Sequence, residues 1–357
     1  MTIAFEISWR LRKGQVEEFE PELFAILQEI EASGSLQMAA RTLGLSYRYA
    51  WGLMRKWAQL LGKPLAHLER GRGARLTNLG EKILWGQRRI NARMTPELES
   101  LAAELNSEIG AIVHAREQAL LRIYASHGLA LGILRDLVHA EAQVKLQLQF
   151  RGSLDSLRLY RNGKCELAGF HLPEGALGRH LIPRFERYLD ADTDVLIHVV
   201  RREQGIMTAV GNPKKIQGIK DLIRKEVRFI NRQPGAGTRL ISDALFEEGG
   251  IDTRRVRGYG NEEFTHMAVA AMIASGAADT GFGIKAAAAQ FGLGFIPVAR
   301  ENYWFAVDRE LSTTAPLKQL IGVLRGRDYR RKVAALQGYD AANAGDIVKV
   351  AQLAPAS

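Results

Sequence analysis

Three times between residues 118 and 250 the chain passes from a short apolar strand, through a turn of small polar residues, into an amphipathic helix: LLRIYASHGLALGILRDLV, VKLQLQFRGSLDSLRLYRNG and VRFINRQPGAGTRLISDALFEEGG. This repeat leaves few ways to fold. Strands that each lead into a helix are joined by crossovers, so they pair in parallel and need helices to cover the sheet. The predicted class is α/β. Each turn falls at the carboxyl end of a strand and the amino end of a helix, where unpaired NH groups and the helix dipole favour an anion. Ser126 in the first turn, Ser153 after Gly152 in the second, and Thr238 after Gly235 and Gly237 in the third add hydroxyl donors without adding charge. Any one of these residues is also an ordinary helix cap. Their recurrence in three turns is what singles them out.

The first hundred residues follow a different pattern. EEFEPELFAILQEIEASG repeats Phe19, Leu23, Leu27 and Ile30 at helical spacing and stops at Gly34. Ser35 can cap LQMAARTL, which Gly44 ends, and Ser46 can cap a third helix after a tight turn. Two helices joined in this way form a helix-turn-helix, with Ala39 and Ala40 small enough for close approach. In LSYRYAWGLMRKW and beyond, at ~100° per residue, Ala50, Leu53, Met54, Trp57, Leu60 and Leu61 fall on one side. Arg48, Gly52, Arg55 and Gln59 fall opposite, with Tyr47, Trp51 and Lys56 at the margins. LAHLERGRGARLTNLG then suggests a hairpin tipped by Arg70 and Arg72, with Arg75 beside it. That is a wing. Ile3, Phe5, Ile7, Trp9 and Leu11 alternate as one extra strand would.

The net charge is +10, and its distribution is uneven: residues 34–93 hold 12 Lys/Arg and two acids, whereas residues 1–33 hold 3 cations and 7 acids. A local basic block on a winged helix-turn-helix suits duplex DNA. Ser46, Tyr47, Arg48, Trp51, Arg55, Lys56, Arg70, Arg72 and Arg75 are the candidate contacts, with Arg48 and Arg55 facing base edges and the wing cations facing phosphates. The bland alternative is a solvated helix face.

The stretch GSLQMAARTLGLSYRYAWGLMRKWAQLLGKPL, continuing to GARLTNLGEKIL, resembles the DNA-binding domain of ModE-type molybdate-responsive regulators and, more distantly, of LysR-type regulators; Ser46, Tyr47, Ala50 and Trp51 carry the ModE-like part. The resemblance implies a homodimer or higher homo-oligomer, paired through the helix after the wing. Here that segment is TNLGEKILWGQRRINARMTPELESLAAELNSEI, apolar at Leu79, Ile83, Ile90 and Met94, which would serve equally as a connector. The later chain, over roughly residues 118–340, resembles the type 2 periplasmic-binding-protein (PBP) fold, through AGFHLP, NRQPGAGTR and GAADTGFG. That implies two lobes joined by crossing strands, for which VLIHVVRREQGIMTA and FIPVARENYWFAV are the candidates. It also implies a small ligand held by Ser126, Ser153 and Thr238, with His171, Arg239, Asn261 and Tyr303 as further candidates. An oxyanion such as molybdate or tungstate suits neutral hydroxyl and NH donors. His171 reads equally as a satisfied core histidine, and Asp279 as an organiser of its own turn.

The expected organisation is a winged helix-turn-helix over 1–93, a linker or dimerisation helix over 94–117, and a two-lobed PBP-like α/β domain over 118–357. No enzyme activity, cofactor or metal is expected. The single cysteine, Cys165, forms no internal disulfide or CxxC site, and HExxH and G-x-S-x-G motifs are absent. GFGIKA at 281–286 fits the relaxed dinucleotide pattern, but Phe282 would crowd a pyrophosphate. No apolar run approaches membrane-spanning length, and the expected location is the cytoplasm. The functional expectation is a transcription regulator that senses a small anion. The alternative is a cytoplasmic solute-binding or molybdenum-cofactor-related protein whose basic domain contacts a protein.

Overall fold

Serine caps and left-handed glycines delimit the first helices. The structure is a computed structural model that describes residues 3–69, 73–113, 119–142 and 144–353. The chain divides into two compact units, residues 6–92 and residues 93–357 together with 1–5. In the amino-terminal unit, β1 (Arg10–Lys13) and β2 (Gln15–Glu18) form an antiparallel hairpin turned at Gly14. The single strand predicted over residues 3–11 is therefore absent: residues 3–9 are not in a strand, and the pairing partner of Leu11 is the nearby Glu17. A glycine with φ of 81° permits that tight reversal. Helix α1 (Pro21–Ser33) starts on a proline and ends at Gly34 in the left-handed region. The Ser35 side chain accepts from Met38 N to cap α2 (Leu36–Thr42), and that of Ser46 accepts from Tyr49 N to cap α3 (Tyr47–Leu61). β3 (Ala66–Glu69) and β4 (Gly73–Leu76) pair antiparallel as the wing, and α4 (Asn78–Val113) follows, its residues from Arg93 onward, Pro96 among them, belonging to the larger unit.

The unit's core gathers Leu23, Ile26, Leu27, Ile30, Ala39, Ala50 and Trp57. Trp57 stacks on Phe19 with ring centroids 3.7 Å apart and donates its indole NH to Glu20 at 2.6 Å. Lys56 meets the other Glu20 oxygen at 2.7 Å. Burial opposes the Glu20 charge, but the bonds from Lys56 and Trp57 outweigh it and hold this carboxyl below its ordinary value. The unfolded state then binds protons more readily. Stability from this group is present above the ordinary carboxylate pKa and is lost as pH falls through the lower folded value. Glu20→Ala is expected to cost about 1–3 kcal/mol at pH 7, from the orphaned indole NH, and to flatten the acid limb of a pH-dependent melting curve. An unchanged acid limb would refute the coupling.

The larger unit is built on one 10-stranded sheet. Its elements follow the chain as β5 (Ala119–Ala125), α5 (Leu129–Glu141), β6 (Val144–Phe150), α6 (Ser153–Arg161), β7 (Leu167–Pro173), α7 (Gly175–Glu186) and β8 (Asp194–Thr208). After these come β9 (Phe229–Arg232), α8 (Gly237–Glu248), β10 (Glu262–Glu263), α9 (His266–Ala274), β11 (Thr280–Ile284), α10 (Lys285–Gln290) and β12 (Gly294–Asp308). The chain closes with α11 (Arg309–Ser312), α12 (Ala315–Arg325), α13 (Arg327–Ala334), β13 (Tyr339–Asp340) and β14 (Ile347–Lys349). The order is β10-β9-β11-β8-β12-β7-β5-β6, with β13 and β14 also on β8.

Within each end of the sheet the pairs β5 with β6 and β7, and β9 with β10 and β11, are parallel. The two ends are joined by β8 and β12, 15 residues each, antiparallel along their whole length. β11 pairs with Gln204–Thr208 of β8, and β7 with Glu301–Val307 of β12, so both long strands serve both lobes. These are the predicted crossings. One core packs α5, α9, α10, α12 and α13, and another packs α6, α7 and α8. All seven residues of β7 are buried, as expected of a strand with neighbours on each side and cover on each face. GFGIKA lies in β11 and the start of α10, and Phe282 is core; with its glycines inside a paired strand, the motif offers no phosphate loop.

Candidate functional site

The turns after β5, β6 and β9 converge. A Cβ on Gly152 would lie 2.8 Å from the Gly235 carbonyl oxygen, so glycine at 152 is what lets the second and third turns touch. Beside them is a cavity of about 620 Å³ lined by Ser126, His127, Gln149 to Gly152, His171, Arg202, Arg232, Ala236 to Thr238, Phe264 to His266, and α4 residues between Arg93 and Glu104. The crossing strands supply its floor. Arg202 on β8 is ion-paired with Glu301 on β12, at 2% and 0% side-chain exposure. Burial opposes the Arg202 charge and Glu301 more than restores it. Arg232, also buried, bonds the carbonyls of Glu263 and Phe264 and the Gln233 side chain. Burial and then the repulsion of Arg202 push its guanidinium down to about 9, which leaves it charged at neutral pH.

The histidines around these cations are neutral. Burial first, then Arg232 and Arg202, pull His127 down to about 3. Burial and the same two guanidiniums hold His171 and His266 well below their ordinary value. Arg202 reaches His266 Nε2 at 3.3 Å, and because a guanidinium only donates, Nε2 accepts and the ring proton sits on Nδ1. That Nδ1 is buried with no partner among the described residues. Gln204 Nε2 donates to Thr238 Oγ1 at 2.8 Å, leaving the Thr238 hydroxyl proton to donate elsewhere. The first NH groups of α8 have no helical acceptor by geometry. Charged guanidinium, hydroxyl and helix amino end therefore all offer hydrogens, the arrangement an acceptor-rich anion needs. Two buried acceptors, Gln204 Oε1 and Glu301 Oε2, lack partners among the described residues behind the cavity wall.

In the amino-terminal unit, α3 separates its residues as its periodicity predicts. Ala50, Leu53, Met54 and Trp57 are buried, while Tyr47, Arg48, Trp51, Arg55 and Gln59 are exposed. Arg55 stacks over the Trp51 ring at 5.3 Å. Arg75 is exposed on β4; Arg70 and Arg72 lie outside the described residues. Lys56 differs from its expected role as a free cation, because Glu20 and Glu17 engage it at 2.7 and 3.4 Å. The Ser46 hydroxyl is occupied in capping α3.

A family model described as a PBP superfamily domain, PBP_like, matches residues 134–325, more than half of the chain. The chain belongs to the PBP-like family. Among relatives, "uncharacterized protein YvgK" of Bacillus subtilis strain 168 is 35% identical over 200 residues, covering 56% of this chain and 64% of that protein. "Molybdenum transport protein ModE" of Azotobacter vinelandii is 29% identical over 99 residues, covering 27% and 37%. The chain thus spans less than two thirds of either. Among solved structures, a hydrogen peroxide-bound cysteine-to-serine mutant of Corynebacterium glutamicum OxyR aligns with a TM-score of 0.43 at 16% identity, covering 89% of this chain and 95% of that one.

The PBP-like domain brings some predicted ligand residues together and leaves others aside. Ser126, His171 and Thr238 line the cavity, with Ser126 Oγ 2.7 Å from His171 Nδ1. Ser153 and Tyr303 stand behind it: Ser153 Oγ accepts from His171 N, and Tyr303 donates to the Ser126 carbonyl and lies tilted against the His171 ring. Arg239 is outside the cavity lining, drawn off by Asp243, Glu262 and the Tyr259 ring. Asn261 is also outside, exposed, its backbone paired with Gly258 and Asn231. Asp279 holds Arg228 and organises the entry to β11. The residues that sequence reasoning missed, Arg202, Gln204, Arg232, His266 and Glu301, did leave one signal. For Arg202 and Gln204 it is a run of four consecutive polar residues, Arg201 to Gln204, inside VLIHVVRREQGIMT, a segment otherwise apolar enough to be fully covered.

Proposed function

We propose that the protein is a ligand-responsive DNA-binding regulator. In this reading the winged helix-turn-helix, acting in a homodimer in the cytoplasm, meets duplex DNA through α3 and the wing, and the PBP-like domain holds a small anion. One observation carries it: α3, second of the serine-capped helix pair, turns its apolar side into the core and leaves Arg48, Trp51 and Arg55 outward. The cluster of hydrogen donors in the cleft supports the anion. Molybdate and tungstate are the first inorganic candidates, supported by the name of the ModE relative. Ligand binding alters DNA affinity to the extent that the anion prefers one arrangement of the dimer over another. The reading includes no catalytic step, cofactor or resident metal, and turnover of a candidate substrate would count against it.

Titration of full-length protein against duplex DNA from upstream of its own operon, at rising salt, tests the first half. Affinity is expected to fall linearly on a log–log plot with a slope of about −0.9 per neutralised phosphate, with sequence preference retained. Arg48→Ala and Arg55→Ala are each expected to lose about 1–3 kcal/mol of discrimination between operator and scrambled duplex without lowering the melting temperature. Equal binding to both duplexes by the unsubstituted protein would favour instead a basic unit that contacts a protein partner.

A further inference from the structure

A bare oxyanion would leave most of the cavity unfilled. Four oxygens at about 30 Å³ each fill roughly 120 Å³, against the 620 Å³ present. Pockets of about 300–1,000 Å³ accommodate organic ligands. The lining is also polarised. Helix α4 forms a roof, since Ser100 Oγ accepts from Phe150 N at one end and Arg93 lies over the Phe264 ring at the other. This roof presents two carboxylates, Glu97 and Glu104, beside Arg93, whereas the floor presents the guanidiniums of Arg202 and Arg232. Between roof and floor are aromatic rings. Phe150 packs edge-on against His127 with centroids 4.9 Å apart, and Phe264, beside Arg93, keeps 49% of its surface exposed.

We infer that the ligand of this cleft is an aromatic anion that carries hydrogen-bond donors on the edge remote from its negative group. This rests on the anion reading above and adds the body and the far end of the molecule. The negative group meets Arg232 and Thr238; the ring lies between Phe150 and Phe264; and NH or OH groups on the far edge meet Glu97 and Glu104. Acetate lacks the ring and the donors, benzoate lacks the donors, and 4-aminobenzoate has all three parts.

Calorimetric titration of the full-length protein with molybdate, acetate, benzoate and 4-aminobenzoate tests this. The expected order of affinity is 4-aminobenzoate, then benzoate, then acetate and molybdate, with at least a tenfold gain from acetate to benzoate. Phe264→Leu is expected to remove most of that gain. The Glu97→Gln, Glu104→Gln double variant is expected to remove the advantage of 4-aminobenzoate over benzoate and leave benzoate unchanged. An unshifted melting temperature in each variant confirms the fold. Molybdate or acetate binding as tightly as the aromatic anions, in a manner abolished by Arg232→Met, would overturn the inference and leave the anion reading standing. Binding of none of the four, or binding that Arg232→Met does not change, would overturn both.

Discussion

Glu301→Gln is expected to destabilise the larger unit by about 3–5 kcal/mol, because it keeps the shape of the side chain and removes the carboxylate charge bonded to a fully buried guanidinium. Arg202 and Glu301 sit at 2% and 0% side-chain exposure, so water cannot replace the lost carboxylate. Glu301 Oε1 also accepts from Gln204 Nε2 at 2.9 Å, and Gln204 in turn holds Thr238, so the change reaches the cleft. At about 2–4 °C per kcal/mol for a domain of this size, the melting midpoint should fall by roughly 6–20 °C. Differential scanning calorimetry of single and double variants checks the cause. Adding Arg202→Met to Glu301→Gln should recover most of the loss, since the pair is then replaced by neutral groups of similar volume. A double variant no more stable than the single one would show that packing, and not the uncompensated charge, sets the cost. Glu301→Gln should meanwhile raise anion affinity, as Arg202 is released from its partner.

Arg232→Met is expected to have the opposite pair of effects. Its guanidinium is already disfavoured by burial and by Arg202, so replacing it with an uncharged chain of similar length should leave the melting temperature of the ligand-free protein within a few degrees of the original or above it. Anion binding should suffer badly. Truncating one partner of a buried, hydrogen-bonded charge pair costs about 2–5 kcal/mol, which is about 30-fold to several thousand-fold in Kd. Calorimetric titration with an anion that the unsubstituted protein binds reads the loss directly. Retained affinity would place the anion away from the floor of the cleft.

Much of the architecture was legible before any coordinates. Ser35 and Ser46 mark helix starts because their hydroxyls satisfy backbone NH groups three residues on, a local rule that needs no tertiary partner. The two sides of α3 follow from helical periodicity in the same way. Each strand-turn-helix unit identified in the larger domain is present, and so are both long crossing strands, since their apolar runs allow little else. The local rules failed at the amino end, where alternation over residues 3–11 mimicked a strand but Gly14 and the Leu11–Glu17 pairing placed the hairpin later.

The ligand cleft divides along the same line. Ser126 and Thr238 were visible because turn chemistry is written in neighbouring residues, and His171 only through the resemblance carried by AGFHLP. Arg202 and Glu301 are 99 positions apart, and Arg202 and His266 are 64 apart; only the antiparallel register of β8 on β12 and the packing of α9 bring them together. The same folding decided which cations are spent internally, taking Lys56 to Glu20 and Arg239 to Asp243 and Glu262. Sequence settled where helices and strands begin, since backbone hydrogen bonding and side-chain period act over a few residues. Which charges remain available to a ligand was left to the tertiary structure, because desolvation and Coulomb attraction depend on distances that neighbours in the chain do not set.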